Sequence, residues 1–360
     1  MCGVRGRAFP IVAERSWAAK RGQERRGQEH RGPRRTPSRM RSLAVVAIGG
    51  NSLVRDHDAS VGGARAALAE TAVHLAAMAT AGWMLAVTHG NGPQVGFGLL
   101  RSEAGVRVAP RLPLDVLGAE TQGSIGYLLQ QALAAALAGH GVRRHVATIV
   151  TQVVVDPADS AFAHPTKPIG PFYDRAEAEI RTREERWMMV EDAGRGWRRV
   201  VPAPEPLEIV ETPVIRALVD QGIIVVAVGG GGVPVVRREA RYEGVEAVVD
   251  KDLATAVLAR DLRANLLLMS TAVEQVTLHH GTPAQRPIDT MSADDARRYL
   301  AEGHFAAGSM GPKIVAAIRF LEVGGEAVII TAPWALGAAL AGQAGTRIVA
   351  STGGVHHNEP

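Results

Sequence analysis

The sequence predicts an α/β fold, a mostly parallel sheet covered by helices on both faces, with a small subdomain projecting from it. Three observations carry that expectation. From residue 43 onward, short apolar runs of buried-strand type alternate with Ala- and Leu-rich stretches of helical length. Three of those runs end in glycine-rich turns, at Gly49-Gly50-Asn51, at His89-Gly90-Asn91-Gly92 and at Gly229 to Gly232. The alternation breaks once, between Asp156 and Pro206, where the chain becomes charged and punctuated by proline.

In chain order, LAVVAI (43–48) reads as the first strand, 62–81 as a helix and WMLAVTHG (83–90) as the second strand. Residues 115–139 read as helical, and 144–155 as one strand ending in VVVDP. The 156–206 insertion holds an amphipathic DRAEAEIRTREER, then WMMVED and WRRVV around the turn Ala193-Gly194-Arg195-Gly196. An insertion of that kind between two core strands predicts a projecting lid. GIIVVAVGGGG (222–232) and NLLLMST (265–271) resume the sheet, separated by a helix that opens near Lys251. Pro312 suits the first position of a helix running to Gly324. AVIIT (327–331) and TRIVAST (346–352) complete the strands. The expected division is a disordered extension at 1–41, a core made of 42–155 and 207–360, and a lid at 156–206.

A chain of 360 residues with 46% hydrophobic content can bury a large core. Cys2 is the single cysteine, which excludes an internal disulfide and a cysteine-based metal site and suits a reducing cytoplasm. No apolar run is long enough to cross a bilayer, so no membrane is expected as a partner. The net charge of +4 hides an asymmetry: residues 1–41 carry twelve Lys/Arg against three acidic residues, and the remainder 28 against 33. The stretch RGQERRGQEHRGPRRTPSR has no apolar periodicity, aromatic interleaving or recognition module, so it reads as a disordered extension and not as a nucleic-acid arm. Met40 immediately precedes RSLAVVAIGGN, where a later start would spare the core.

Only four lysines occur against thirty-six arginines. Lys20 lies in the extension, while Lys167, Lys251 and Lys313 each sit in a dense motif, PTKPIGP, VDKDLA and GSMGPK. An ammonium is a compact point charge and a guanidinium a broad fork. Three retained lysines therefore suggest sites that need a small cation, as phosphate chemistry does. The glycine turns agree, because in a parallel sheet they fall on one edge, where backbone N–H groups can approach an anion. Neither G-x-x-x-x-G-K-[ST] nor a helix-opening G-x-G-x-x-G is present, so the phosphate scaffold is a different one. Around Asp250-Lys251-Asp252, neighbouring helical residues point in different directions. One workable division has Lys251 facing phosphate while Asp252 holds an ammonium such as that of Lys313. The carboxylates also read as complements to the helix dipole. His279-His280 and His356-His357 lack a third ligand at useful spacing, so no metal site is assigned to protein side chains.

From Leu43 to about Thr352 the motifs AIGGN, THGNGPQVG, TQVVVDPADSAFAHPTKPIGPFY, VAVGGGGVPV, GVEAVVDKDLA and FAAGSMGPKIVAAIRF resemble carbamate kinases of the amino acid kinase superfamily. THGNGPQVG and PTKPIGPFY are the most specific of these strings. The resemblance implies an αβα sandwich with a projecting subdomain, usually in a homodimer. It further implies that Lys251 and Lys313 contact the transferring phosphoryl group, that Asp252 orients them and that Lys167 reaches down from the subdomain. Gly49, Gly50, Asn51, Gly90, Asn91 and Gly230 would line the phosphate and carbamate pocket. Thr271, Ala272, Val273, Val276, Ser309 and Met310 would line the nucleotide side. Ala272 stands where the superfamily often has aspartate, and His279-His280-Gly281 where an Asn plus aromatic often precedes the glycine. The implied reaction joins ATP and carbamate to give ADP and carbamoyl phosphate, reversibly, with Mg²⁺ on the nucleotide. The alternatives are another small acyl-phosphate kinase, such as an acetylglutamate-type kinase, or a non-catalytic nucleotide-binding regulator on the same fold.

Overall fold

The computed structural model describes residues 42–49, 53, 60–192, 194–306 and 308–351; the expected disordered extension lies outside them. The described chain opens with β1 (Leu43–Ile48), α1 (Val61–Thr80), β2 (Met84–His89), α2 (Gly92–Ala104) and α3 (Leu114–Gly139). It continues through β3 (Val146–Thr148) and β4 (Gln152–Val154), then β5 (Lys167–Tyr173), α4 (Arg175–Glu185), β6 (Met188–Glu191) and β7 (Trp197–Val201). Next come β8 (Glu208–Ile209), α5 (Thr212–Asp220), β9 (Ile224–Val226), β10 (Val233–Arg238), β11 (Arg241–Gly244) and α6 (Lys251–Asp261). The last third holds β12 (Leu266–Ser270), β13 (Thr277–Leu278), β14 (Arg286–Pro287), β15 (Thr290–Ser292) and α7 (Ala293–Ala301). It closes with α8 (Met310–Glu322), β16 (Ala327–Thr331), α9 (Leu336–Leu340) and β17 (Thr346–Val349).

Eight strands form the central sheet in the order β15-β17-β16-β12-β1-β2-β9-β3. Every pairing in it is parallel except β16 with β17. The period of two along a strand feeds two cores. In β1, Val45 and Ala47 point to the layer built from α5, α6, α7 and α8, while Ala44, Val46 and Ile48 point to the layer of α1, α3 and α9. Helix α3 shows why its sequence is helical: every fourth residue from Leu117 to Leu137 is buried, a stripe that is apolar except at Thr121. At the start of α1 the Ser60 side chain accepts from the Gly63 N–H at 3.1 Å, satisfying one of the orphan donors there.

Two expectations are corrected. The apolar run 144–155 is not one strand: β3 joins the central sheet, whereas β4 joins a second sheet of order β11-β10-β4-β8. The break is made by Gln122 of α3, whose amide accepts from the Thr151 N–H at 2.9 Å and donates to the Thr151 carbonyl at 3.1 Å. The Thr151 carbonyl also accepts from the Val233 N–H at 2.8 Å, so at this residue the chain turns from the central sheet to the second one. Helix α8 starts at Met310, two residues before Pro312, which still lies in the first turn where its missing N–H costs nothing. Within 156–206, β5, β7 and β6 form a separate three-stranded antiparallel sheet, accompanied by α4. Among the described residues no helix is long and apolar enough to cross a membrane.

Candidate active site

Strands β12, β1, β2 and β9 are neighbours and run in parallel, so the segments that follow them emerge side by side. Thr271 follows β12, Gly49 follows β1, Gly90 follows β2, and the Gly229–Gly231 turn follows β9. These segments and the N-termini of α2, α6 and α8 surround a cavity of about 410 Å³. Neither Asn91 at the start of α2 nor Ser309 at the start of α8 caps its helix through its side chain. Some backbone donors there remain available to an anion, though the Gly311 N–H is taken by the Ala306 carbonyl at 2.9 Å and Pro312 has none.

Helix α6 places the charged groups. Asp250 is its N-cap, its Oδ1 accepting from the Asp252 N–H at 2.9 Å. Capping fixes the backbone at the next two residues, whose side chains meet each other and each take one further partner. Lys251 Nζ donates to the carbonyl of Ile48, the last residue of β1, at 3.2 Å, and stands 3.3 Å from Asp252 Oδ1. Lys313, on the first turns of α8, donates to Asp252 Oδ2 at 2.6 Å. One carboxylate therefore brackets two ammonium groups that are 62 positions apart in sequence, and all three side chains are about nine-tenths buried. From the three-stranded sheet, Lys167 Nζ reaches Asp250 Oδ2 at 3.2 Å.

Burial of this kind is costly unless charges are matched. Burial alone lowers the Lys251 ammonium, the Asp252 carboxylate pulls it back, and Lys313 pushes it down again; the net effect is below the ordinary lysine range. For Asp252, burial acts to raise the carboxyl, but Lys251 and Lys313 together hold it below the usual carboxylate value. Asp252 Oδ1 is buried without a hydrogen-bond partner, because its contact with Lys251 is an ion pair lacking hydrogen-bond geometry. Beneath the glycine turns lies His89, which burial lowers from its ordinary 6.5 to about 4. Its Nδ1 is 2.9 Å from the Gly90 carbonyl, so the neutral ring carries its proton on that nitrogen and donates it.

The cavity gathers Gly49, Gly90, Asn91, Gly230, Lys167, Lys251, Asp252, Lys313, Thr271, Ala272 and Ser309 from the sequence-predicted set. Gly230 has φ +67, and a Cβ there would lie 2.2 Å from Asn91 Nδ2, so the turn and the asparagine need glycine at that position. Asn91 in turn donates to Thr121 Oγ1 at 2.8 Å. Gly50 and Asn51 lie outside the described residues. Three expected nucleotide-side residues are placed elsewhere. Val276 is wholly buried in the core, its N–H donating to Thr346 Oγ1 at 2.9 Å. Val273 is exposed at the surface and Met310 packs against the core, and neither lines the cavity. Sequence reasoning missed two residues: Asp250 as the partner of Lys167, and Arg198 in the cavity wall. The first requires tertiary pairing, and the second is hidden among thirty-six arginines.

The model of the amino acid kinase family matches residues 42–332. The chain belongs to the amino acid kinase family. Within it, the chain is 50% identical to the carbamate kinase-like protein YahI of Escherichia coli, over 86% of this chain and 99% of that one. It is 46% identical to the carbamate kinase of Thermococcus kodakarensis, over 85% of this chain and 98% of the relative. Among solved structures, the carbamate kinase of Giardia lamblia bound to AMP-PNP superposes with a TM-score of 0.82 at 40% identity, covering 86% and 99% of the two chains. This amino acid kinase is thus similar to carbamate kinases over nearly their whole length.

Proposed function

We propose that the chain is a carbamate kinase, catalysing reversible phosphoryl transfer between ATP and carbamate. The observation that carries this reading is the Asp252 carboxylate holding Lys251 and Lys313 in one cavity, with Lys167 entering from a separate sheet. A carbamate oxygen is already anionic and needs no base. It forms a bond to the γ-phosphorus while the bond from that phosphorus to the bridging oxygen breaks, and ADP leaves with the electron pair. The obstacle is mutual repulsion of anions, which compact cations and helix N-termini address directly. Lys251 and Lys313 face the travelling phosphoryl group, Asp252 fixes both, and Lys167 serves the carbamate side. Thr271, Ala272 and Ser309 border the nucleotide.

Among the described residues no cluster of three or more His, Cys, Asp or Glu side chains could hold a metal ion. Asp252 is already shared by two ammonium groups. Mg²⁺ therefore fits as part of the nucleotide substrate, bound by phosphate oxygens and water, and supplies further charge neutralisation there. The 156–206 segment acts as a lid, the protein works as a cytoplasmic homodimer, and the physiological direction is ATP formation in catabolism. A coupled assay for ATP production from ADP and carbamoyl phosphate tests the reading. Sustained turnover, with none from N-acetylglutamyl phosphate, supports it; ADP binding with no ATP formed would overturn it in favour of a nucleotide-binding regulator.

A further inference from the structure

The strand that carries Lys167 is irregular, and the irregularity has a partner. β5 pairs with β7 through Lys167 with Val201, Pro168 with Val200 and Ile169 with Arg199, and again through Tyr173 with Trp197. Between those pairings three residues of β5, Gly170, Pro171 and Phe172, stand opposite one residue of β7, Arg198. The sequence causes this. Pro168 and Pro171 have no N–H to give a ladder. Gly170 adopts φ +71, which residues with a side chain rarely take, and it packs so closely on α2 that a Cβ at Gly96 would meet its Cα at 3.4 Å.

A bulge of that size turns carbonyl groups away from the neighbouring strand. Arg198 takes them. Its Nη2 donates to the Gly170 carbonyl at 3.1 Å and to the Pro168 carbonyl at 3.4 Å. Its Nη1 pairs with Asp192 Oδ2 at 3.2 Å, and its guanidinium carbon lies 5.2 Å from the Phe172 ring centre. Its Nε is buried with no hydrogen-bond partner. A planar fork holds the carbonyls on one nitrogen and the carboxylate on another in a fixed geometry, whereas an ammonium would have to reach all three from a single nitrogen on a flexible stem. Arg198 also lines the cavity that Lys167 enters.

We propose that Arg198 is the positioning residue for Lys167, fixing the bulge of β5 so that the ammonium meets the carbamoyl end of the substrate. This rests on the carbamate kinase reading of the site. Arg198→Lys and Arg198→Met should each raise the KM for carbamoyl phosphate roughly tenfold, with the Kd for ADP unchanged. In a Lys167→Ala background the same substitutions should add less than about twofold, because the residue acts through that lysine. Amide exchange across 167–173 in the ligand-free protein should quicken by about tenfold or more. Retained near-ultraviolet signals from Trp187 and Trp197 exclude loss of the subdomain, and Arg198→Lys covers the case in which Arg198→Met does not fold. Additive effects in the two backgrounds, equal weakening of ADP, or unchanged exchange in β5 would each overturn the proposal. A parent protein that makes no ATP would sink the functional reading alone, since the exchange of β5 still decides the positioning role.

Discussion

The two ends of the cavity hold their cations in opposite ways. At the floor, Lys251 and Lys313 share one carboxylate, with side chains 11% and 10% exposed around an Asp252 that is 8% exposed. At the rim, Lys167 has, among the described residues, a single carboxylate contact, at 3.2 Å, and is 40% exposed. A buried, doubly tied pair cannot rearrange without leaving charge uncompensated, whereas a half-exposed pair in high dielectric exchanges partners cheaply. On the proposed function, the floor is a fixed electrostatic mould for the group common to every turnover. On the same reading, the rim is a movable cation, parked on the N-cap of α6 until a substrate anion competes for it.

The largest test of that contrast is charge-conserving. Lys251→Arg or Lys313→Arg should lower turnover by roughly a hundredfold or more, because a fork cannot occupy the position of a point charge in a closed mould. Lys167→Arg, at the open rim, should cost only about a few-fold. Steady-state rates within a few-fold of the parent for both floor variants would break the contrast outright. Next in size, Lys167→Ala should raise the KM for carbamoyl phosphate by roughly tenfold while calorimetry finds ADP binding unchanged. The reverse pattern would assign Lys167 to the nucleotide.

Acid should attack the floor first. His89, beneath it, is held neutral by burial down to about pH 4, against 6.5 in an unfolded chain. Between those values the unfolded chain binds a proton that the native ring refuses, so stability falls as pH drops through the window. From pH 7 to 5 the loss is about 2 kcal/mol from this group, read as a lower urea midpoint. Asp252 acts in the same direction further down. Its depressed carboxyl contributes stability above the ordinary carboxylate pKa, and that contribution disappears as pH falls toward its native value. His89→Gln should flatten the profile above pH 5 and leave the lower limb. An unaltered slope would place the titration elsewhere.

The floor and the rim also differ in how far the sequence reveals them. Lys251, Asp252 and Lys313 are visible because lysine is scarce and the motifs are local: a capped helix start and a glycine-rich loop. The parallel strands are visible because their apolar runs are continuous. What stays hidden depends on distant partners. Nothing in IVTQVVV indicates that Thr151 is bonded by Gln122, far upstream, and by Val233 of β10, far downstream, where the chain passes from one sheet to the other. Likewise, PTKPIGP signals an interrupted strand through its prolines, but the guanidinium that repairs it comes from β7. Val276 sits in the loop after β12, yet it is buried in the core, where its N–H is held by Thr346 of β17.

The smallest effect belongs to the joint between rim and floor. Glu246 accepts the Leu114 N–H at the start of α3 at 2.7 Å and pairs with Arg199 of β7 at 2.9 Å, linking the three-stranded sheet to the core. Its side chain is 52% exposed, so solvent screens the ion pair. Glu246→Gln keeps an acceptor for the Leu114 N–H and removes only the charge. Stability should change by less than about 1 kcal/mol in urea denaturation, and the KM for carbamoyl phosphate should rise by no more than about threefold. A change at the rim that left carbamoyl phosphate untouched but slowed turnover a hundredfold would mean that the two ends are one rigid unit, and that Lys167 is as fixed as its buried counterparts.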